Sequence, residues 1–254
     1  MEPVYTSVIA TARVIFGLQG LRFSFHGIDN IPKTGGAVMA INHTGYMDFA
    51  YAGLAARPAG RLVRFMAKDE VFQHKVSGPL MRGMRHIPVD RDAGAGSFRA
   101  AVTALKGGEI VGVFPEATIS RSFELKEFKS GVVRMAVAAG VPILPTTIWG
   151  SQRVWTKDHP KRLGRSRVPI VLSVGEPILA GRRDDVDEVL ERLRESMTGL
   201  LTTAQAGYPT VPEAERRFLP ARLGGTAPTP EQAAKLDSDE IAARAARRAA
   251  READ

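Results

Sequence analysis

Between residues 37 and 174 short apolar runs alternate with stretches of helical periodicity, and that alternation leaves few folds open. Candidate strands fall at 37–41, 62–67, 86–89, 110–114, 143–148 and 170–174. Candidate helices fall at 48–57, 97–106 and 131–139, each closed by Gly or Pro soon after its last turn. Strands separated by helices pair in parallel through crossover connections. The expected fold is therefore α/β: a mixed, mainly parallel sheet flanked by helices. A further helix is expected at about 184–201, where Val186, Val189, Leu190, Leu193, Met197, Leu200 and Leu201 form one stripe. Asp184, Asp185 and Asp187 place negative charge at its positive end.

The two flanks of this region read differently. From Val4 to Phe25 apolar residues follow helical spacing, interrupted by Arg13 and Arg22, so residues 1–25 are expected to form an amphipathic helical segment. Such a segment can lie in a bilayer interface, with its arginines at the headgroups, or dock on the core of its own domain. No run of about 18 uncharged apolar residues occurs, so no spanning helix is expected. The opening Met1-Glu2-Pro3 lacks the basic region of a secretory signal. After Gly207, five prolines (Pro209, Pro212, Pro220, Pro228, Pro230) break up regular structure, and an Ala-, Arg- and acid-rich stretch follows. That stretch fits a solvated helix or disorder. Residues 26–206 thus read as the catalytic domain, and 207–254 as a tail outside it.

A net charge of +8 calls for an anionic partner: nucleic acid, acidic lipid or a phosphorylated substrate. No helix-turn-helix, zinc-finger or aromatic RNA-binding motif is present, so nucleic acid is not expected. The chain has no cysteine, which excludes disulfides, thiolate metal sites and cysteine nucleophiles. No cluster of His, Asp and Glu has metal-ligand spacing, and no Gly-x-Ser-x-Gly elbow is present, so neither a metal nor a serine hydrolase is expected.

The chemistry concentrates in Asn42-His43-Thr44-Gly45-Tyr46-Met47-Asp48, which follows the first strand of the alternating region. On one continuous helix a His and an Asp five apart point in different directions. With His43 in a turn and Asp48 in the first turn of the next helix, the two can meet. Asp48 would then accept the Nδ1 proton of His43 and leave Nε2 as a base. Spacing alone also fits an ordinary histidine beside a helix-capping aspartate.

The blocks that follow decide between these readings. Asn-His-x-x-x-x-Asp resembles the first motif of the PlsC-like glycerolipid acyltransferases, the 1-acylglycerol-3-phosphate acyltransferase family. Residues 68–91, with Gly78-Pro79, Gly83 and Arg91, resemble its second motif. Val113-Phe114-Pro115-Glu116-Ala117-Thr118 resembles the third, and Val141-Pro142-Ile143-Leu144-Pro145 the fourth. Phe128-Lys129-Ser130-Gly131 and Gly175-Glu176-Pro177-Ile178 match smaller features, so the resemblance covers about residues 27–178.

The resemblance implies an enzyme of phospholipid biosynthesis. It would move a fatty acyl group from a thioester donor, acyl-CoA or acyl-carrier protein, to a hydroxyl of glycerol 3-phosphate or 1-acylglycerol 3-phosphate, with no cofactor. His43 would be the general base and Asp48 its orienting partner. Backbone N–H groups near the turn would stabilise the oxyanion. Arg91 would hold the acceptor's phosphate; Glu116, Thr118, Lys68 and Lys129 would be further substrate-binding residues. The expected location is the cytoplasmic face of the cell membrane, peripheral or monotopic, against an anionic surface. Alternatives are the same chemistry on another lipid or glycolipid, or a non-catalytic basic lipid-binding module. Two departures bear on the acceptor: Ala117 and Ile119 stand where the third motif usually has Gly and Arg. The phosphate contact can pass to Arg91, Lys68, Arg121 or Lys129.

Overall fold

The computed structural model describes residues 2–89 and 94–253, and the α/β expectation holds in it. Seven strands make one sheet: β1 (Arg22–His26), β2 (Ala37–Ile41), β3 (Val63–Lys68), β4 (Ile87–Val89), β5 (Ile110–Val113), β6 (Ile143–Trp149) and β7 (Pro169–Val174). Their order is β1-β7-β6-β2-β5-β3-β4, parallel throughout except for the β6–β7 pair. The helices are α1 (Pro3–Leu18), α2 (Asp48–Ala55), α3 (Asp69–Gln73), α4 (Ser77–Gly83), α5 (Gly94–Lys106), α6 (Gly131–Ala139), α7 (Val186–Ala206) and α8 (Pro230–Ala253).

Strand β2 shows why its sequence reads as an unbroken apolar run. All five of its residues are fully buried. Ala37, Met39 and Ile41 pack with Phe16 of α1 and with Tyr51, Ala52 and Ala55 of α2. Val38 and Ala40 pack on the opposite face with Leu105 of α5, Val132 and Ala136 of α6, and Leu193 and Met197 of α7. A parallel strand covered on both faces has no polar side to alternate with.

The N-terminal expectation needs correcting. The helix stops at Leu18, and Gly20, with φ +69°, turns the chain so that residues 22–26 form β1 at the sheet edge. There Arg22 pairs in register with Pro169 and His26 with Ser173. Phe23 and Phe25 point inward in alternation, and Phe23 contacts Phe16 and Tyr51. Helix α1 buries Tyr5 and Phe16 in the domain and leaves Val14, Ile15 and Leu18 exposed.

The tail is also not separate. Phe218 and Ala227 are buried with Phe123, Trp149, Leu201 and Ala204, so residues beyond 207 extend the core. From Pro230 the chain is helical as α8. Prolines break regular structure here, as expected, but they route the segment across the domain instead of freeing it.

The topology positions the site. Strands β2 and β5 are neighbours, yet β2 leads through α2 to β3, while β5 leads through α6 to β6, on the other side. Where connections diverge from the carboxyl ends of adjacent parallel strands, a crevice opens. His43 leaves β2, and Phe114 to Glu116 leave β5, at that crevice.

Candidate active site

Asn42 anchors the end of β2. Its buried side chain accepts from the N–H of Ile148 at 2.7 Å and donates to the C=O of the same residue at 3.1 Å, tying the turn to β6. The next five residues wrap around one carboxylate. Asp48, fully buried in the first turn of α2, presents Oδ2 to three nitrogens. These are Nδ1 of His43 at 3.0 Å and the backbone N–H groups of Thr44 and Gly45, each at 2.8 Å. A carboxylate only accepts, so in the neutral imidazole Nδ1 carries the hydrogen and Nε2 the lone pair. The imidazole stacks on Phe114 with ring centroids 4.1 Å apart and retains 19% side-chain exposure.

Gly45 is a place where a side chain has no room: a Cβ would lie 2.9 Å from Oγ of Ser151 and 3.0 Å from the carbonyl of Trp155. The loop after β6 closes on the turn through further bonds. Thr44 Oγ1 meets Ser151 Oγ at 3.1 Å, Thr156 Oγ1 donates to the carbonyl of Thr44, and the N–H of Tyr46 donates to Trp155. Every backbone amide from 42 to 46 therefore already has a partner, since that of Asn42 donates to Thr146 and that of His43 to Glu116.

Glu116 lies behind the histidine, not in the open cleft. It is buried, with Oε1 accepting from the N–H of His43 at 2.9 Å and Oε2 from that of Lys126 at 3.1 Å. Burial pushes its carboxyl up to about 8, against the pull of those two amides and of the Lys126 charge. Folding thus favours the protonated acid. Its share of stability is complete below the usual 4.5 and is lost as pH rises toward about 8, with a slope of up to about 1.4 kcal/mol per pH unit. Thermal unfolding from about pH 5 to pH 9 should therefore fall more steeply for the wild type than for Glu116→Gln. Parallel curves would mean that the carboxyl is ionised in the fold.

The third-motif departures have structural counterparts. Ala117 is exposed and adopts φ +61°, the left-handed region that glycine favours, so the backbone turn survives the substitution at a cost of about 1 kcal/mol. Ile119 is buried, and its position presents no cation.

Residues 22–149 match the Acyltransferase family. This chain belongs to that acyltransferase family. It is 34% identical over 139 residues to the 1-acyl-sn-glycerol-3-phosphate acyltransferase of Bacillus subtilis (strain 168), across 54% of this chain and 67% of that one. A chloroplastic 1-acyl-sn-glycerol-3-phosphate acyltransferase of Brassica napus is 27% identical over 176 residues, or 67% of this chain, and the match spans 49% of its own length. The fold is similar to the crystal structure of the 1-acyl-sn-glycerophosphate acyltransferase PlsC from Thermotoga maritima. The TM-score is 0.61 at 23% identity, with 77% of each chain covered. The expected membership of a PlsC-like family is thereby borne out.

Within the acyltransferase domain the expected residues separate. His43, Asp48 and Glu116 converge at the switch point. Thr118 Oγ1 accepts from Nζ of Lys126 at 2.7 Å. Lys68 is exposed at the end of β3, and Lys129 is exposed with its N–H on the carbonyl of Pro115. Arg91 lies outside the described residues. Sequence reading missed Lys126, which touches both Glu116 and Thr118; a lysine ten residues past the Pro-Glu pair carries no periodic signal.

Proposed function

We propose that this acyltransferase transfers a fatty acyl group from a thioester, acyl-CoA or acyl-carrier protein, to a hydroxyl of 1-acylglycerol 3-phosphate or glycerol 3-phosphate. The observation that carries the reading is the single carboxylate oxygen of Asp48 holding His43 Nδ1 and two turn amides at once. That arrangement fixes the tautomer in which Nε2 is the base. In this reading Nε2 takes the hydroxyl proton as the acceptor oxygen bonds to the thioester carbonyl carbon. The tetrahedral intermediate then expels the thiolate, the C–S bond breaks, and the imidazolium returns the proton to sulfur. Because the amides of residues 42–46 are engaged, oxyanion stabilisation falls to groups outside the turn. The names borne by the Bacillus and Brassica relatives support the acceptor class.

Membrane attachment belongs to the same proposal: a peripheral or monotopic position on the cytoplasmic face, against anionic lipid. Its support is the exposed Val14, Ile15 and Leu18 of α1 beside Arg13. No helix among the described residues is long and apolar enough to cross a membrane.

Thiol release measured with a mixture of acyl-CoA donors and a panel of acceptors, with products identified by mass spectrometry, tests the reading. Release that depends on a phosphorylated glycerol or lysophospholipid is the expected result. Release that depends only on a neutral acceptor would overturn the acceptor class, and no release with any acceptor would overturn the transfer.

A further inference from the structure

Helix α8 sets two carboxylates, Asp237 and Glu240, on a cluster of cations far back along the chain. Arg121 bonds to Asp237 and, at 2.8 Å, to Glu240, while its Nε keeps a 2.6 Å bond to Asp158, which is not on α8. Lys157 reaches Glu240 at 2.9 Å and Asp237 at 3.5 Å. Lys126 bonds to Asp237 while also holding Thr118. The side chains of Arg121 and Lys157 are largely enclosed, at 9% and 13% exposure.

The cations belong to the catalytic loops. Arg121 follows Ser120, whose N–H donates to the carbonyl of His43 at 2.7 Å. Lys157 follows Thr156, whose hydroxyl donates to the carbonyl of Thr44. Lys126 donates its own N–H to Glu116, which in turn accepts from the N–H of His43. All three are therefore fixed relative to the base. The carboxylates are not fixed in the same way. Near its docked turn α8 buries Ala233, while Leu236 and Ile241 stay exposed, so charge does most of the holding. An ion-paired helix with little apolar burial is screened by salt and can be displaced by a competing anion. Burial works against ionisation of Asp237, but Lys126, Lys157 and Arg121 hold its carboxyl below the usual range, so it is charged at neutral pH.

We infer that Arg121, Lys126 and Lys157 form an anion site at the rim of the cleft, filled in the resting chain by Asp237 and Glu240 and taken by a phosphomonoester when α8 leaves. Two carboxylates present the charge of one phosphate dianion, spread over a similar set of acceptor oxygens. That the phosphomonoester is the acceptor's rests on the proposed acyl transfer; the anion site itself does not.

The test uses the full chain and two sources of the same group, inorganic phosphate and the headgroup of lysophosphatidate in phosphatidylcholine vesicles. In Asp237→Asn/Glu240→Gln, calorimetry at low salt should show inorganic phosphate binding about tenfold or more tighter than in the wild type. Adding Arg121→Gln should remove the gain, and the KM for lysophosphatidate should fall in the double variant. Phosphate binding unchanged in a double variant whose α8 is cut faster by trypsin would overturn the inference, leaving the cluster a tether only. Should the double variant misfold, hydrogen exchange of the wild type decides. Phosphate should accelerate exchange in α8 beyond chloride at equal ionic strength, and equal acceleration would overturn the site. Tighter phosphate binding without acylation of any phosphorylated acceptor would overturn the acceptor reading and leave the anion site standing.

Discussion

Alanine at position 43 is expected to lower kcat by about a hundred- to ten-thousandfold, the usual worth of a positioned general base. The fold should survive. The imidazole sits at the open edge of the switch-point crevice, stacked on Phe114, and the bonds that hold the turn use the backbone of His43: its N–H to Glu116 and its C=O from Ser120. Thiol release measured beside thermal unfolding separates the two effects. A variant that unfolds near the wild-type temperature and turns over within tenfold of it would remove His43 from the chemistry.

Asp48→Asn is the second large effect, and it should reach both activity and stability. Oδ2 receives three N–H groups with no exposure to water, while Oδ1 is buried without a partner among the described residues. An asparagine oxygen can take the Oδ2 place, and the new NH2 then falls where Oδ1 has no partner. The shape is kept, but the charge that in the proposed mechanism opposes a forming imidazolium is gone. Loss of charge-assisted bonds in a dry site should destabilise the fold by about 1.5–3 kcal/mol. The expected drop in kcat, about a hundredfold or more, exceeds what partial unfolding explains. Circular dichroism at the assay temperature checks that the chain is folded. Activity above a tenth of wild type in a folded Asp48→Asn chain would sink the orienting role.

The sheet was legible in the sequence because its central strands are dry on both faces. β2 is apolar from end to end and β6 is broken only by the buried Thr146 and Thr147, and the expected bounds 37–41 and 143–148 match Ala37–Ile41 and Ile143–Trp149 closely. β1 was read as more helix because the helical spacing of α1 runs straight into Phe23 and Phe25. Only the pairing of Arg22 with Pro169, far along the chain, makes an edge strand of it. The short helices α3 and α4 gave too few turns for a periodic signal. At the site, the meeting of His43 and Asp48 could be anticipated from a strand, a turn and a helix start. The place of Glu116 could not: its bonds go to backbone amides, which every residue carries alike. Of the amides near the turn, where oxyanion donors are expected, those of Thr44 and Gly45 serve Asp48.

The antiparallel step between β6 and β7 has a consequence for the order of assembly. Among the described strands β1 pairs with β7 alone, so it has no sheet partner until residues 169–174 exist. Until then Phe23 and Phe25 lie on an unpaired segment, with Phe16, Tyr51 and the β2 side chains as the partners already made. Loop closure over so long a stretch is slow, and uncovered aromatic surface on a nascent chain invites association. Residues 22–26 are thus made long before the strand that seats them, and through that interval the growing chain carries uncovered aromatic surface.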